Sequence, residues 1–212
     1  MVTRQSYHHG DLRRALLTAA ADAIADSGVT ALSMRDLARR AGVSHAAPAH
    51  HFADKAGLLT ALATDGFERL TKALATSRLA SNSLLELGVT YLRFALANRA
   101  TFEVMFRTDL YHADDPELLA ARRQAADALY AGMTDLPDAP LAGPSTTGPA
   151  RPAKEGTAEL VSDDVREAGL AAWSMVHGFA TLWLSGAFPD SAQEDPVQAA
   201  RQILGRVRQL GG

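Results

Sequence analysis

The residues of this chain best placed to do chemistry lie between Arg35 and Phe52, in the stretch RDLARRAGVSHAAPAHHF. Ser44 and His45 carry groups able to hydrogen-bond base edges, and the methyl of Ala46 or Ala47 suits contact with a thymine methyl. Small side chains there let a backbone approach another surface closely. His45, His50 and His51 share this stretch with Arg39 and Arg40, and Lys55 follows it. That combination of donors, small residues and cations fits a polyanion that has edges to be read. Catalytic sets are a different matter. No nucleophile–base spacing, glycine-rich phosphate loop or HExxH occurs. The adjacent carboxylates Asp114–Asp115 and Asp163–Asp164 fall at expected helix starts, where capping and the helix dipole account for them. The expectation is a binding protein without catalytic activity, metal or other cofactor. Tyr7-His8-His9-Gly10 reads as a polar arm, solvated or facing phosphate, in preference to a metal site.

The reading residues need two helices to hold them. Ser33 is a good N-cap with Asp36 three residues on, close to a capping box. Leu37, Ala38 and Ala41 then give one apolar face at helical spacing. Gly42 stops that helix, because the left-handed C-cap conformation costs glycine little. Val43 packs into the crook, Ser44 caps a second helix over His45–His51, and Phe52 anchors its end. Two helices joined by a short glycine-containing turn form a helix-turn-helix, whose second member lies in a DNA major groove. A helix over Asp11–Asp26, ended by Gly28, completes a three-helix head with Arg13 and Arg14 outward.

Composition limits the alternatives. The chain has 212 residues and a net charge of −3, which looks wrong for a DNA binder. Charge is uneven, however. Residues 1–60 hold seven Lys or Arg against five Asp, a net of +2, which leaves −5 for the remainder. Five of the seven histidines also lie there and gain charge readily near a polyanion. Cysteine is absent, which excludes disulfides and thiolate ligands. No apolar run approaches the roughly 20 residues that span a bilayer. The first residues carry no apolar segment of the signal-peptide kind, so a cytoplasmic location is expected.

Downstream the pattern stays helical. Asp54 caps a long helix reaching about Leu79, striped with Leu58, Leu59, Leu62, Phe67, Leu70 and Leu74. Ser81 or Asn82 caps Leu84–Arg99, and a short helix follows over Thr101–Arg107. Pro116 opens Pro116–Met133. Residues 135–159 are dense in Pro, Gly, Ser and Thr, the composition of a mobile loop. Asp163–Ser185 is apolar nearly all round and is expected to be buried on several sides. Asp195–Leu210 carries an apolar stripe from Val197, Ala200, Ile203, Leu204, Val207 and Leu210.

Leu37-Ala38-Arg39-Arg40-Ala41-Gly42-Val43-Ser44, with His51, Phe52, Lys55 and Leu58, resembles the tetracycline-repressor (TetR) family of bacterial regulators. That resemblance covers about residues 10–60. The opening Tyr7-His8-His9-Gly10-Asp11-Leu12 and the later Trp173-x-x-x-His177-Gly178 are similar to one branch, with a WHG motif in its C-terminal part. The family usually has Tyr at the place of Ala49 here, and that tyrosine reaches a backbone phosphate, a contact alanine cannot make.

The resemblance implies an all-α protein: a three-helix helix-turn-helix head (residues 1–55) joined by a long helix to a ligand-binding and dimerisation domain (56–212). It further implies a homodimer on a palindromic operator, a repressor released by a small ligand. Base reading would fall to Ser44, His45, Ala46 and Ala47. Phosphate anchoring would fall to Arg35, His50, His51 and Lys55, with Arg4 or the Tyr7–His9 arm at the neighbouring groove. Asp163–Ser185 and Asp195–Leu210 would pair with their copies as a four-helix bundle. Phe67, Tyr91, Phe94, Phe102, Met105, Phe106, Met133, Trp173, Val176 and His177 would line a pocket for an apolar ligand with one polar group. The rival expectation is a helical sensor or interaction protein that has lost specific DNA binding, motivated by Ala49 and the negative net charge.

Overall fold

A computed structural model of the chain describes residues 9–81, 83–134, 163–188 and 195–210. Among the described residues all regular structure is helical: α1 (His9–Ala31), α2 (Met34–Arg40), α3 (Ala47–Phe52), α4 (Lys55–Ala80), α5 (Leu84–Ala97), α6 (Arg99–Met105), α7 (Pro116–Thr134), α8 (Asp163–Leu184) and α9 (Pro196–Leu210). The expected loop over residues 135–159 lies outside the described residues, as do Arg4, Tyr7 and His8.

The chain packs as two compact units. The first contains α1–α3, α4 to Leu70, and Ala97–Ala125. The second contains Thr71–Leu96 and the described residues from Ala126 onward. α4 runs unbroken through the Leu70–Thr71 boundary, and its cap is the expected one: Asp54 Oδ1 accepts the Gly57 amide at 2.8 Å.

In the first unit Leu16, Ala20 and Ile24 of α1 are buried with Leu37 and Ala38 of α2 and Leu58, Leu59 and Leu62 of α4. Gly28, at φ 78° and ψ 160°, breaks the helical path inside α1. α6 packs on α1 and also lies close against α4. A Cβ added to Gly66 would sit 2.6 Å from Met105 Sδ and 2.8 Å from Thr101 Cγ2. Thr60 and Thr64, both buried, return their hydroxyls to carbonyls one turn back, and Thr60 Oγ1 also accepts the His112 amide at 3.0 Å.

In the second unit Leu74, Val89 and Leu92 are buried with Val176, Phe179 and Ala180 of α8 and Ala200 of α9. Arg201 grips Glu86 with two hydrogen bonds, one of 2.9 Å through Nη2. That guanidinium holds the Glu86 carboxyl below the usual range. Phe188 closes an aromatic group with Phe179 and Trp183, at centroid distances of 4.9 and 5.4 Å.

Several boundaries differ from those expected. α1 already includes His9 and Gly10, which the sequence reading placed in an arm. The second helix of the helix-turn-helix begins at Ala47, not His45: Pro48 prefers a first helical turn, leaving His45 and Ala46 in the preceding turn. Ser44 contributes its carbonyl to the Ala47 amide (3.0 Å), and no side chain caps α3. Ser83, rather than Ser81 or Asn82, caps α5. The helical path breaks at Asn98, so α5 ends at Ala97 instead of Arg99 and the short helix spans Arg99–Met105 instead of Thr101–Arg107. α8 is not enclosed all round within one chain. Leu170, Ala171, Ser174, Met175, Thr181 and Leu182 are exposed along one face at helical spacing. Leu182 is 51% exposed and Leu170 44%, and Ile203 on α9 is 40% exposed.

Replacing Gly66 with Ala is expected to lower stability by about 1–3 kcal/mol, because the added methyl meets the fully buried Met105 side chain. Denaturant unfolding measures it; an unchanged midpoint would show that α6 yields without cost.

Candidate nucleic-acid interface and sensor network

The helix-turn-helix is assembled by backbone chemistry that its sequence specifies. Ser33 Oγ accepts the Asp36 amide at 3.1 Å, a cap worth about 1 kcal/mol. At the other end of α2, Gly42 turns left-handed (φ 67°), its amide reaching Arg39 O (3.2 Å) while the Val43 amide reaches Ala38 O (3.0 Å). This is the Schellman pattern, with glycine at the residue that needs positive φ.

α3 then has two unlike sides. Pro48 and Phe52, four residues apart, are buried, and the Arg13 guanidinium lies 5.7 Å over the Phe52 ring. Opposite them Ser44, His45, Ala46, Ala49 and His50 are exposed, with Ala47 half-buried. His51 is also half-buried, its ring 5.7 Å from that of His50 and 6.1 Å from that of Phe52. Three of the four proposed base-reading residues, Ser44, His45 and Ala46, are therefore exposed, and Ala47 is only partly so. His50 is exposed as well, whereas His51 leans inward. Arg35 is exposed near the start of α2. Lys55 is half-buried and donates to Thr30 O at 3.2 Å, one of its three ammonium protons.

Arg39 and Arg40, which the sequence reading counted as flanking cations, are engaged within the head. Asp36 accepts from Arg40 Nε at 2.8 Å and also from Arg39, and Arg40 Nη1 reaches Asp26 at 2.6 Å. Arg40, then Arg39, hold the Asp36 carboxyl below its usual range. The Asp36 pairs follow from the three- and four-residue spacing, whereas Asp26 lies on another helix, and no local spacing signals it.

The proposed pocket residues are divided between the two units. Phe67, Phe102, Met105 and Phe106 belong to the first unit, where Phe106 packs against Phe67 (5.7 Å) and Phe102 (5.0 Å). Arg122 lies 5.9 Å over the Phe67 ring. Tyr91, Phe94, Trp173, Val176 and His177 belong to the second. Met133 is in α7, but its side chain lies outside the described residues.

Within the second unit Trp173, Tyr91 and His177 form a hydrogen-bonded line. Trp173 Nε1–H donates to the Tyr91 oxygen at 3.4 Å, and Tyr91 and His177 Nδ1 are 2.9 Å apart. With the Tyr91 proton directed to Nδ1, the His177 proton sits on Nε2, 3.5 Å from Thr181 Oγ1. Burial raises the Tyr91 phenol above its usual range and lowers the His177 imidazole below its own, so both are neutral at neutral pH. Trp173 and His177 stand one turn apart on α8, and Tyr91 lies 86 residues from His177. Sequence alone named all three but gave no sign that they bond.

Among the described residues no group of three or more His, Cys, Asp or Glu could hold a metal, and no helix is long and apolar enough to cross a membrane. A capped helix-turn-helix on an all-helical chain is the architecture of bacterial transcription regulators. "Bacterial regulatory proteins, tetR family" matches residues 16–62, and "Tetracyclin repressor-like, C-terminal domain" matches residues 84–207. The chain belongs to the TetR family of transcriptional regulators, which are generally non-enzymatic DNA-binding proteins.

A protein of unknown function from Rhodococcus sp. RHA1 is 33% identical, with 98% of each chain covered and a TM-score of 0.73. The TetR-family regulator PfmR from Thermus thermophilus is 20% identical (92% of this chain, 96% of the other; TM-score 0.62). NalD, the secondary repressor of the MexAB-OprM multidrug efflux pump in Pseudomonas aeruginosa, is 21% identical (95% of each; TM-score 0.57). These two likenesses are of fold. No curated protein matches the chain.

The unfolded chain takes up a proton at histidine near about pH 6.5, while folded His177 resists it. Its contribution to stability is therefore full above that pH and is lost as pH falls toward the lowered folded value. His177→Gln should flatten the decline in melting midpoint between about pH 7.5 and 5.5 relative to the parent; parallel curves would contradict it.

Proposed function

We propose that this regulator is a homodimeric repressor that binds a palindromic operator and is released by a small apolar ligand carrying one polar group. Residues 1–55 are its DNA-binding domain, and residues 56–212 its ligand-binding and dimerisation domain. It acts in the cytoplasm. The observation that carries the reading is α3 anchored by buried Pro48 and Phe52, with His50 exposed on it and Ser44, His45 and Ala46 exposed in the turn before it. The turn before α3 and its outer face offer hydrogen-bonding groups and methyls to base edges. Arg35, His50, His51 and Lys55 supply cations and donors for phosphates, which fix register without reading sequence.

Dimerisation falls to the open face of α8 with α9. Exposed Leu170, Met175, Leu182 and Ile203 are apolar surface that a second copy would cover. Effector binding falls to the aromatic and Met residues of the body, with His177 offering its Nε2 proton. A ligand that favours one spacing of the two heads shifts the population away from the DNA-competent state. α4, continuous from Lys55 to Ala80, is the natural carrier of that shift.

A second reading, a helical sensor without specific DNA binding, is favoured by Ala49 at the exposed position where the family places a phosphate-reaching tyrosine. The carboxylates on Arg39 and Arg40 point the same way. Selection of genomic fragments with purified protein decides between the readings. Recovery of a palindromic site supports the repressor, and retention of nothing at low salt supports the sensor.

On a recovered site, His45→Ala should change base preference, whereas Lys55→Ala should weaken all duplexes alike and reduce the salt slope by about 1. Equal effects of the two in a binding titration would count against these assignments. Leu182→Glu should shift sedimentation toward monomer and abolish operator binding; a dimer that persists would move the interface elsewhere.

A further inference from the structure

α3 has only six residues, too few to hold a helical direction by its own hydrogen bonds. Its direction is set by what it is attached to. Two residues, Ala53 and Asp54, separate it from α4. Ala53 adopts φ 63° and ψ −63°, and the Asp54 amide donates to Phe52 O at 2.8 Å across it. That is the positive-φ γ-turn, a rare and strained form for a residue with a side chain. Ala53 is the one non-glycine residue with positive φ among the described residues.

The turn folds the last carbonyl of α3 back onto the first turn of α4. A Cβ built on Gly57 would overlap the Phe52 carbonyl oxygen and lie 3.2 Å from its carbon. Both atoms are backbone, so no side chain can rotate out of the way. The adjoining bonds leave little slack: the Ala53 amide reaches Ala49 O at 2.9 Å, and Asp54 Oδ1 holds the Gly57 amide. With a side chain at residue 57 the backbone at the junction must shift.

We propose that Gly57 is a positioning residue for operator recognition: its missing side chain admits the Phe52 carbonyl and so fixes the angle at which the exposed face of α3 meets DNA. This rests on the DNA-binding reading above. The residue touches no base. It acts through α3, and its loss changes which sequences are preferred more than how strongly any duplex is held. Phosphate contacts from other parts of the head survive a tilt of α3, whereas base-edge hydrogen bonds do not tolerate one.

The test compares the full chain with Gly57→Ala, and with Gln124→Ala as a control, since Gln124 is exposed on α7. Affinity for the selected operator and for a random duplex is titrated over a salt series, and backbone amide resonances are recorded for each protein. Gly57→Ala is expected to lose about tenfold or more in operator affinity, with random-duplex affinity and salt slope within about twofold of the parent. Amide shifts should move over residues 47–54. Gln124→Ala should match the parent in every readout.

Parental operator preference in Gly57→Ala, or unmoved resonances over 47–54, overturns the proposal. So does an equal loss on operator and random duplex, which is the signature of general damage to the head. Should Gly57→Ala not fold, the double variant with Ala53→Gly, which lets the junction open without strain, carries the same comparison. If the parent binds no duplex at all, the DNA-binding reading fails by itself. The amide resonances then decide whether Gly57 sets the direction of α3.

Discussion

A helix of six residues does not stand alone, and everything this protein presents outward from its head depends on how α3 is held. Pro48 and Phe52, both buried, hold it from beneath, and α3 packs on α2. With the apolar work confined to two residues, the opposite side needs no large group, and alanines and histidines are sufficient there. An amphipathic helix normally divides its surface to bury half of it. Here the division also leaves a low, polar surface on which a groove edge is not obstructed. Gly42 is part of the same constraint, since without its left-handed turn the chain would not enter α3 from the right side.

The second unit solves a different problem, that of keeping polar groups inside an apolar helix pair. Tyr91 is 1% exposed, and an unsatisfied phenol there would be costly. Trp173 and His177 receive it from one turn of α8, and neutrality of both titratable groups suits the low-dielectric surroundings. Glu86 and Arg201 do for α5 and α9, nearer solvent, what the tyrosine line does for α5 and α8. Polar links of this kind fix register where leucine packing alone tolerates sliding.

Much of this was legible in the amino-acid order, for reasons that differ by element. Ser33, Gly42 and Asp54 act through the backbone within four residues, so their roles survive without knowledge of the fold. The apolar stripe of α4 was read correctly because burial repeats with the helical period. Ser44 has the residue type of a cap, but Pro48 favours the first helical turn, and α3 starts at Ala47. α8 reads as buried on several sides, and composition reports that apolarity but not which faces a single copy covers. The Tyr91–His177 bond and the Asp26–Arg40 pair join residues whose proximity is created by tertiary packing. The γ-turn at Ala53 carries no signal at all, since alanine is not a residue that advertises positive φ.

The chain contains two tryptophans, and both lie on α8. Trp173 donates a hydrogen bond within the tyrosine–histidine line, and Trp183 sits in an aromatic group with Phe179 and Phe188. The head has none. Ultraviolet emission from the unlabelled protein therefore watches a single helix from two places, one polar and one apolar, and is blind to the DNA-facing end. Changes around α8 can be followed optically while duplex is present, without attaching a dye.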